Sequence, residues 1–217
     1  MVITYYGLSC FKIQSGETVI AIDPFEKESG LTPPRFGVDA VLVTHDHKNH
    51  NNADALSPKN GEHLFKITGP GEYEFGGIIV RGIQTFHDSK RGKIKGKNTI
   101  YLIEWEGMKL AHMGDYGEPE LRSEIQEALG TPDILFIPVG GGDTIDEEHA
   151  AKIINQIEPR IIIPMHYKIP GIKMKLDGIE AFMKEMGEKS TPEDKFTIKK
   201  NALPAAEQSK IVILSTP

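Results

Sequence analysis

The sequence predicts an α/β fold in which two sheets pack face to face with helices on the outside. Three observations lead there. Short runs rich in Val and Ile recur along the chain, each of strand length and most of them ending in Gly, Pro, Asp or His. Helical spacing appears between the later runs, so the first half reads as hairpins and the second as strands alternating with helices. A hydrophobic content of 39% against 26% charged, over 217 residues, is enough apolar mass for one layered core spanning residues 1–217.

In order, the predicted strands are Thr18–Asp23, Ala40–Thr44, Ile78–Ile83, Thr99–Trp105, Lys109–His112, Ile134–Val139, Arg160–Met165 and Ile211–Leu214. Leu121, Ile125 and Leu129 recur every fourth residue and predict a helix over Glu118–Leu129. Ala150, Ile153, Ile154 and Ile157 form a stripe on Asp146–Ile157, with Asp146 as N-cap. Ile179, Phe182, Met183 and Met186 do the same for Asp177–Met186. The Lys/Glu-rich stretch Gly187–Gln208, interrupted by Pro192 and Pro204, reads as a solvated excursion before the last strand.

A net charge of −6 with scattered Lys and Arg lacks the basic stripe that nucleic acid attracts, so a small-molecule substrate is expected. Cys10 is the only cysteine, which excludes an internal disulfide and fits a reducing compartment. The N-terminus lacks a secretory pattern and no window resembles a membrane span, so a cytoplasmic protein is expected. Homo-oligomerisation stays open.

The chemistry concentrates in His45-Asp46-His47-Lys48-Asn49-His50, directly behind the Ala40–Thr44 strand. Three imidazoles this close repel when protonated and lack donors when neutral; a cation solves both problems. Their nitrogens suit zinc and its transition-metal neighbours. His87 and His166 also follow strands, Asp115 lies in the turn after Lys109–His112, and Asp23 ends the first strand. Ligand sites in layered α/β folds form where such carboxyl ends converge. His112 is expected in a core or supporting role, and His63 and His149 fall in polar stretches outside the set.

This pattern resembles the metallo-β-lactamase superfamily, whose motif is His-x-His-x-Asp-His followed by a later His, a bridging Asp and a final His. The matching positions are His45, His47 and His50, then His87, Asp115 in Gly114-Asp115, and His166 in Pro164-Met165-His166-Tyr167; Asp23-Pro24 matches the early aspartate that supports the metal loop. The resemblance spans essentially the whole chain and is to a minimal, single-domain branch of metal-dependent hydrolases. It implies a four-layer αβ/βα sandwich with the site at one edge. His45, His47 and His87 would hold one metal, His50 and His166 a second, with Asp115 bridging. Asn49 departs from the pattern, standing where the family has an aspartate ligand; a neutral amide should weaken the second position.

The expected reaction is hydrolysis of an ester, lactone, thioester, amide or phosphodiester by a metal-activated water, with one or two zinc ions, manganese or iron being the alternatives. Asp115 would bridge the metals or accept the water proton, and Tyr167 would contact a developing oxyanion or else pack. Asn98 is a looser candidate for the same surroundings, a turn role being its alternative. Two rival readings remain: a metal-binding protein with little catalysis, and a nuclease of the same fold. The diiron branch usually carries an acidic residue where His47 stands.

Overall fold

The computed structural model describes residues 1–61 and 63–217. The chain begins with β1 (Val2–Gly7), β2 (Cys10–Ser15), β3 (Thr18–Ile22), β4 (Gly37–Val38), β5 (Ala40–Val43) and β6 (Ser57–Pro58). It continues through β7 (Phe65–Thr68), β8 (Gly71–Phe75), β9 (Ile78–Phe86), β10 (Lys97–Trp105) and β11 (Met108–His112). Helices then enter: α1 (Ser123–Leu129), β12 (Ile134–Pro138), α2 (Glu147–Ile157), β13 (Ile161–Met165), α3 (Ile179–Glu185), β14 (Phe196–Thr197) and β15 (Lys210–Ile211).

One sheet has the order β14-β1-β2-β3-β5-β7 and the other β15-β13-β12-β11-β10-β9-β8. Each is antiparallel in one half and parallel in the other. Strands β5, β12 and β13 are buried at every residue, as parallel strands covered on both faces must be. Their near-continuous Val/Ile/Leu runs are the sequence form of that burial. β1 instead alternates half-buried and buried residues, presenting one face to the core. The sheets meet through aromatic side chains: Phe11 of β2 lies 4.9 Å from Tyr5 and 4.6 Å from Phe136 of β12.

All three predicted helices form, two of them shorter than their stripes. α2 starts where Asp146 accepts the His149 N–H, as its N-cap position requires. α1 begins at Ser123 instead of Glu118. The Glu118 carboxylate is buried, accepting the Phe86 N–H at 3.2 Å and pairing with Arg122 at 3.0 Å, and this holds the first predicted turn open. α3 loses its first turn because the Asp177 backbone is bonded to Gly140 and Lys168.

The last strand joins its sheet at Lys210–Ile211, while Leu214 bridges to Glu193 and Ile213 and Leu214 stay buried. Gly187–Gln208 is exposed along most of its length but not wholly a solvated excursion. Phe196 and Thr197 pair with β1, and Phe196 and Ile198 are buried. The chain there closes the open edge of a sheet, which leaves fewer unpaired backbone groups. The strands β1 and β2 lie outside the predicted set because Thr4, Lys12 and Gln14 break their apolar residues into runs of at most two. The outer face of the first sheet carries a small core of Val19, Ala21, Val41 and Val43, capped by Ala53 and Leu56 from a single helical turn.

Candidate metal centre

The carboxyl ends of β3, β5, β9, β11 and β13 deliver Asp23, His45, His87, Asp115 and His166 to one edge of the two sheets. Two of these residues take left-handed backbone angles, Asp23 at φ 48° and His166 at φ 54°, unusual for residues with a Cβ. Each turns its side chain inward at the end of its strand. The turn carrying His166 also needs Gly140: a Cβ there would lie 2.3 Å from the His166 carbonyl oxygen.

Asp115 is the hub, and one oxygen does the converging. Its Oδ2 lies 3.0 Å from His50 Nε2, 3.3 Å from His87 Nε2, 3.4 Å from His166 Nε2 and 3.9 Å from His45 Nε2. Oδ1 is turned away and accepts the Ser9 hydroxyl at 2.9 Å. The Asp115 N–H donates to Asn98 Oδ1 at 3.0 Å, while Asn98 Nδ2 donates to Thr85 Oγ1 and the Met113 carbonyl, each at 2.8 Å. Gly114 makes this possible, because a Cβ at that left-handed position would sit 2.4 Å from Asn98 Oδ1.

Hydrogen-bond accounting assigns the ring nitrogens. Thr44 Oγ1 has one proton and gives it to Asp23 Oδ2 at 2.7 Å, while Asp23 Oδ1 accepts the Thr44 N–H. Oγ1 can then only accept from His45 Nδ1, 3.0 Å away, which leaves His45 Nε2 without a proton. Asp23 Oδ2 likewise faces His50 Nδ1 at 3.3 Å, aiming His50 Nε2 at Asp115. This is the carboxylate–imidazole support that ligating histidines use, and it is the role expected of Asp23. His112 differs: Nε2 donates to the Ser9 carbonyl and Nδ1 accepts the Gly114 N–H, so both nitrogens serve the core, as expected.

The electrostatics suit a cation. His45 falls to about 3 because burial and the nearby His50 charge both disfavour its protonated form. His50 also suffers from burial, but the Asp115 and Asp23 carboxylates outweigh it and raise it to about 10. Burial works against the Asp115 anion too, yet the His166 and His50 imidazoles hold its carboxyl well below the usual range. Meanwhile His45 Nε2, His87 Nδ1 and both His166 ring nitrogens are buried without a hydrogen-bond partner. A fully buried imidazole with no partner on either nitrogen costs free energy unless a cation takes one lone pair. The donor set therefore fits a metal. Three groups offer ligand atoms mutually within 4.8 Å: His45, His47 and His50; His45, His87 and Asp115; and His50, Asp115 and His166.

The predicted residues thus come together with two exceptions and one variation. Tyr167 is buried, its ring 6.0 Å from Tyr5 and its hydroxyl donating to the Leu214 carbonyl at 3.3 Å; burial pushes that hydroxyl up to about 12. His166 leaves the strand in a left-handed turn at φ 54°, and the Tyr167 ring that follows it packs into the core beside Tyr5. The oxyanion role expected of Tyr167 is corrected to packing. Asn98 has its side chain wholly engaged in orienting Asp115, so it holds the bridging loop and contacts no substrate. His47 is the exposed member of the cluster and groups with His45 and His50. Asn49 is buried, with Nδ2 3.3 Å from Met174 Sδ. Ser9 and Thr44 were not singled out in the sequence. A serine in a hairpin turn and a threonine at a strand end carry no local signal of their partners.

Two cavities flank the cluster. One of ≈ 760 Å³ is lined by His45, Asp46, Thr68, Lys66, Lys95 and Lys97. The other, of ≈ 310 Å³, is lined by His87, Asp88, Lys95, Asp143, Asp146 and His149.

Known proteins resemble this chain. A family profile described as a beta-lactamase superfamily domain matches residues 2–166. A UPF0173 protein of Pyrococcus furiosus is 33% identical over 189 residues, covering 77% of this chain and 83% of that protein. The UPF0173 metal-dependent hydrolase of Thermoplasma acidophilum is 30% identical over 187 residues, covering 76% and 82%. Among solved structures, a Thermotoga maritima protein assigned to the zinc-dependent hydrolases of the metallo-β-lactamase superfamily superposes with a TM-score of 0.79. It is 28% identical and covers 100% of this chain and 99% of its own.

Proposed function

The chain belongs to the beta-lactamase superfamily, and from that premise we propose that it is a metal-dependent hydrolase acting on a small molecule. The observation that carries this is the convergence of four Nε2 atoms on Asp115 Oδ2, with His45 Nε2 and both His166 ring nitrogens left without a hydrogen-bond partner in a buried site. His45, His47 and His87 are the proposed holders of a first divalent metal, and His50 and His166 of a second, with Asp115 between them. Zinc suits three or more imidazoles and a carboxylate best, manganese or iron being the alternatives. When bound, such a metal lowers the pKa of water from 15.7 to about 7 and polarises a carbonyl or phosphoryl oxygen.

The chain's own residues do the rest. Thr44 fixes which nitrogen of His45 is bare, and Asp23 aims His50 Nε2 at Asp115. Asn98 fixes the Asp115 backbone and Ser9 its carboxylate, which stays anionic at neutral pH and can take the proton of an attacking water. In the overall reaction the water oxygen bonds to the acyl carbon or phosphorus, the bond to the leaving oxygen or nitrogen breaks, and the leaving group departs with a proton. The inner side of the cluster is closed to bulk water, since His50, Asp115 and His166 are almost fully buried.

A second reading, a metal-binding protein with little catalysis, is favoured by Asn49, whose amide offers no anionic oxygen. Metal analysis of the purified protein, with ester, lactone and phosphodiester panels assayed after metal loading and after chelation, separates the two. Turnover that chelation abolishes and zinc restores supports the hydrolase. One bound metal with no turnover on any panel supports the second reading, and absence of bound metal after loading sinks both. No helix among the described residues is long and apolar enough to cross a membrane. A small-molecule substrate in the cytoplasm is the setting we propose.

A further inference from the structure

The segment after His87 reads Asp-Ser-Lys-Arg-Gly-Lys-Ile-Lys-Gly-Lys over residues 88–97. Lys90, Arg91, Lys93, Lys95 and Lys97 crowd together there in a chain whose net charge is −6. Like charges this close repel and favour a spread, mobile loop. The structure instead ties the backbone down. The buried Asp88 carboxylate accepts four N–H groups: Lys90 at 2.7 Å and Gly92 at 3.0 Å on Oδ1, Ile94 at 3.0 Å and Lys95 at 2.7 Å on Oδ2. The loop also closes on the ligand itself, because the His87 N–H donates to the Gly96 carbonyl at 3.1 Å. A fold that spends a buried carboxylate on holding cations beside a metal ligand has organised them for a purpose that solvation alone does not require.

Lys95 is the cation that lines both cavities flanking the cluster, one shared with His45 and the other with His87. Lys66 and Lys97 line the larger cavity with it. Lys95 Nζ rests on Asp143 at 2.8 Å, both side chains nearly half exposed, and Lys66 rests on Asp54 at 2.7 Å. Exposed pairs of this kind contribute little stability, so a ligand anion can replace the aspartate at small cost. Lys97 forms no ion pair among the described residues.

We propose that this loop is an anion-recognition element. The substrate carries a carboxylate or phosphate group adjoining the bond that is cleaved, and Lys95, backed by Lys97, binds that group in the cavity beside His45. The word substrate rests on the hydrolase reading above; the anion site does not. Because Asp88 fixes the backbone beforehand, binding orders only the lysine side chains, which keeps its entropic cost low.

Two measurements on the full chain test it. With zinc loaded, 4-nitrophenyl acetate and mono-4-nitrophenyl succinate offer the same leaving group on a neutral and an anionic acid. Lys95→Met should lower kcat/KM for the anionic ester about tenfold or more, chiefly through KM, and change the neutral ester less than about twofold. Added salt should weaken the anionic preference of the native protein more than that of the variant, which keeps only Lys66 and Lys97 in the cavity. Independently of turnover, inorganic phosphate and succinate are titrated calorimetrically into metal-free native protein, Lys95→Met and the distant control Lys189→Met. Binding that is lost in Lys95→Met and kept in Lys189→Met supports the site, and the anion that binds tighter identifies the group. Equal titrations for native and Lys95→Met protein overturn the proposal, whatever the esters do. If neither ester turns over while the titration still singles out Lys95, the anion site stands and the hydrolase reading is what fails for these esters.

Discussion

Replacing Ser9 with alanine removes one hydrogen bond whose consequence can be worked out in advance. The Ser9 hydroxyl donates to Asp115 Oδ1 at 2.9 Å, and both residues are almost fully buried. That bond keeps Oδ1 turned from the cluster so that Oδ2 alone faces the four imidazoles. A hydrogen bond to a charged group contributes about 1.5–3 kcal/mol, and loss of the donor leaves a buried carboxylate oxygen unsatisfied. The metal-free protein should lose stability of that order in chemical denaturation. Metal affinity should fall as well, because Asp115 is then free to rotate. At about 1.4 kcal/mol per factor of ten, the same interaction corresponds to roughly 10- to 100-fold in the dissociation constant, the range found for other groups that support metal ligands. The assay is calorimetric titration of zinc into Ser9→Ala and native protein, each first stripped by chelator. The fall should steepen towards acid pH, since Asp115 without its donor is easier to protonate. Zinc affinity within about twofold of native across the pH range, alongside lowered stability, would refute the reasoning: Ser9 would then matter to packing and not to the carboxylate.

Three further outcomes follow from the same geometry. Asn49→Asp restores an anionic oxygen to the ligand loop, so a second zinc should bind more tightly than in native protein, while the metal-free form loses stability; stoichiometry and affinity by calorimetry decide, and no gain at the second position would show that the amide is not its weakness. Tyr167→Phe should leave kcat unchanged and lower stability by about 0.5–1.5 kcal/mol, the contribution of one neutral hydrogen bond; a tenfold loss of kcat would return the tyrosine to the site. His50 is raised to about 10 in the folded metal-free protein, above its ordinary value near 6.5. Its protonation therefore stabilises that form fully below about 6.5 and is lost as pH rises through about 10. Since a metal must displace that proton, metal uptake at His50 should release it and strengthen with pH between 6 and 8, as pH-stat titration can measure; uptake without proton release would refute the assignment.

Much of the site is legible in the sequence because the ligands that carry the chemistry sit in local patterns. His45, His47 and His50 announce a cation by their crowding, and His87, Asp115 and His166 each follow an apolar strand, so a layered fold must bring them to one edge. The all-buried strands β5, β12 and β13 read directly as Val/Ile/Leu runs for the same reason: burial on both faces leaves no room for alternation. The α2 helix is equally legible, since its cap and its stripe are both local.

What only the tertiary structure decided are the contacts between residues distant in the chain. Ser9 meets Asp115 across 106 positions and Asp23 meets Thr44 across 21; no spacing in the sequence encodes either. Tyr167 reads as a candidate because it adjoins His166 and Asn98 because it precedes a strand, yet the Tyr167 hydroxyl is taken by the Leu214 carbonyl and the Asn98 amide by Asp115, Thr85 and Met113. Glu118 belongs to a helical stripe by its position but is taken by the Phe86 backbone and Arg122, so the helix starts later. Local sequence determined which groups could bind a metal, because charge crowding and burial act over a few residues. Which oxygen of Asp115 faces them, and which nitrogen of His45 is bare, was decided by hydrogen-bond partners that folding brings to about 3 Å or less.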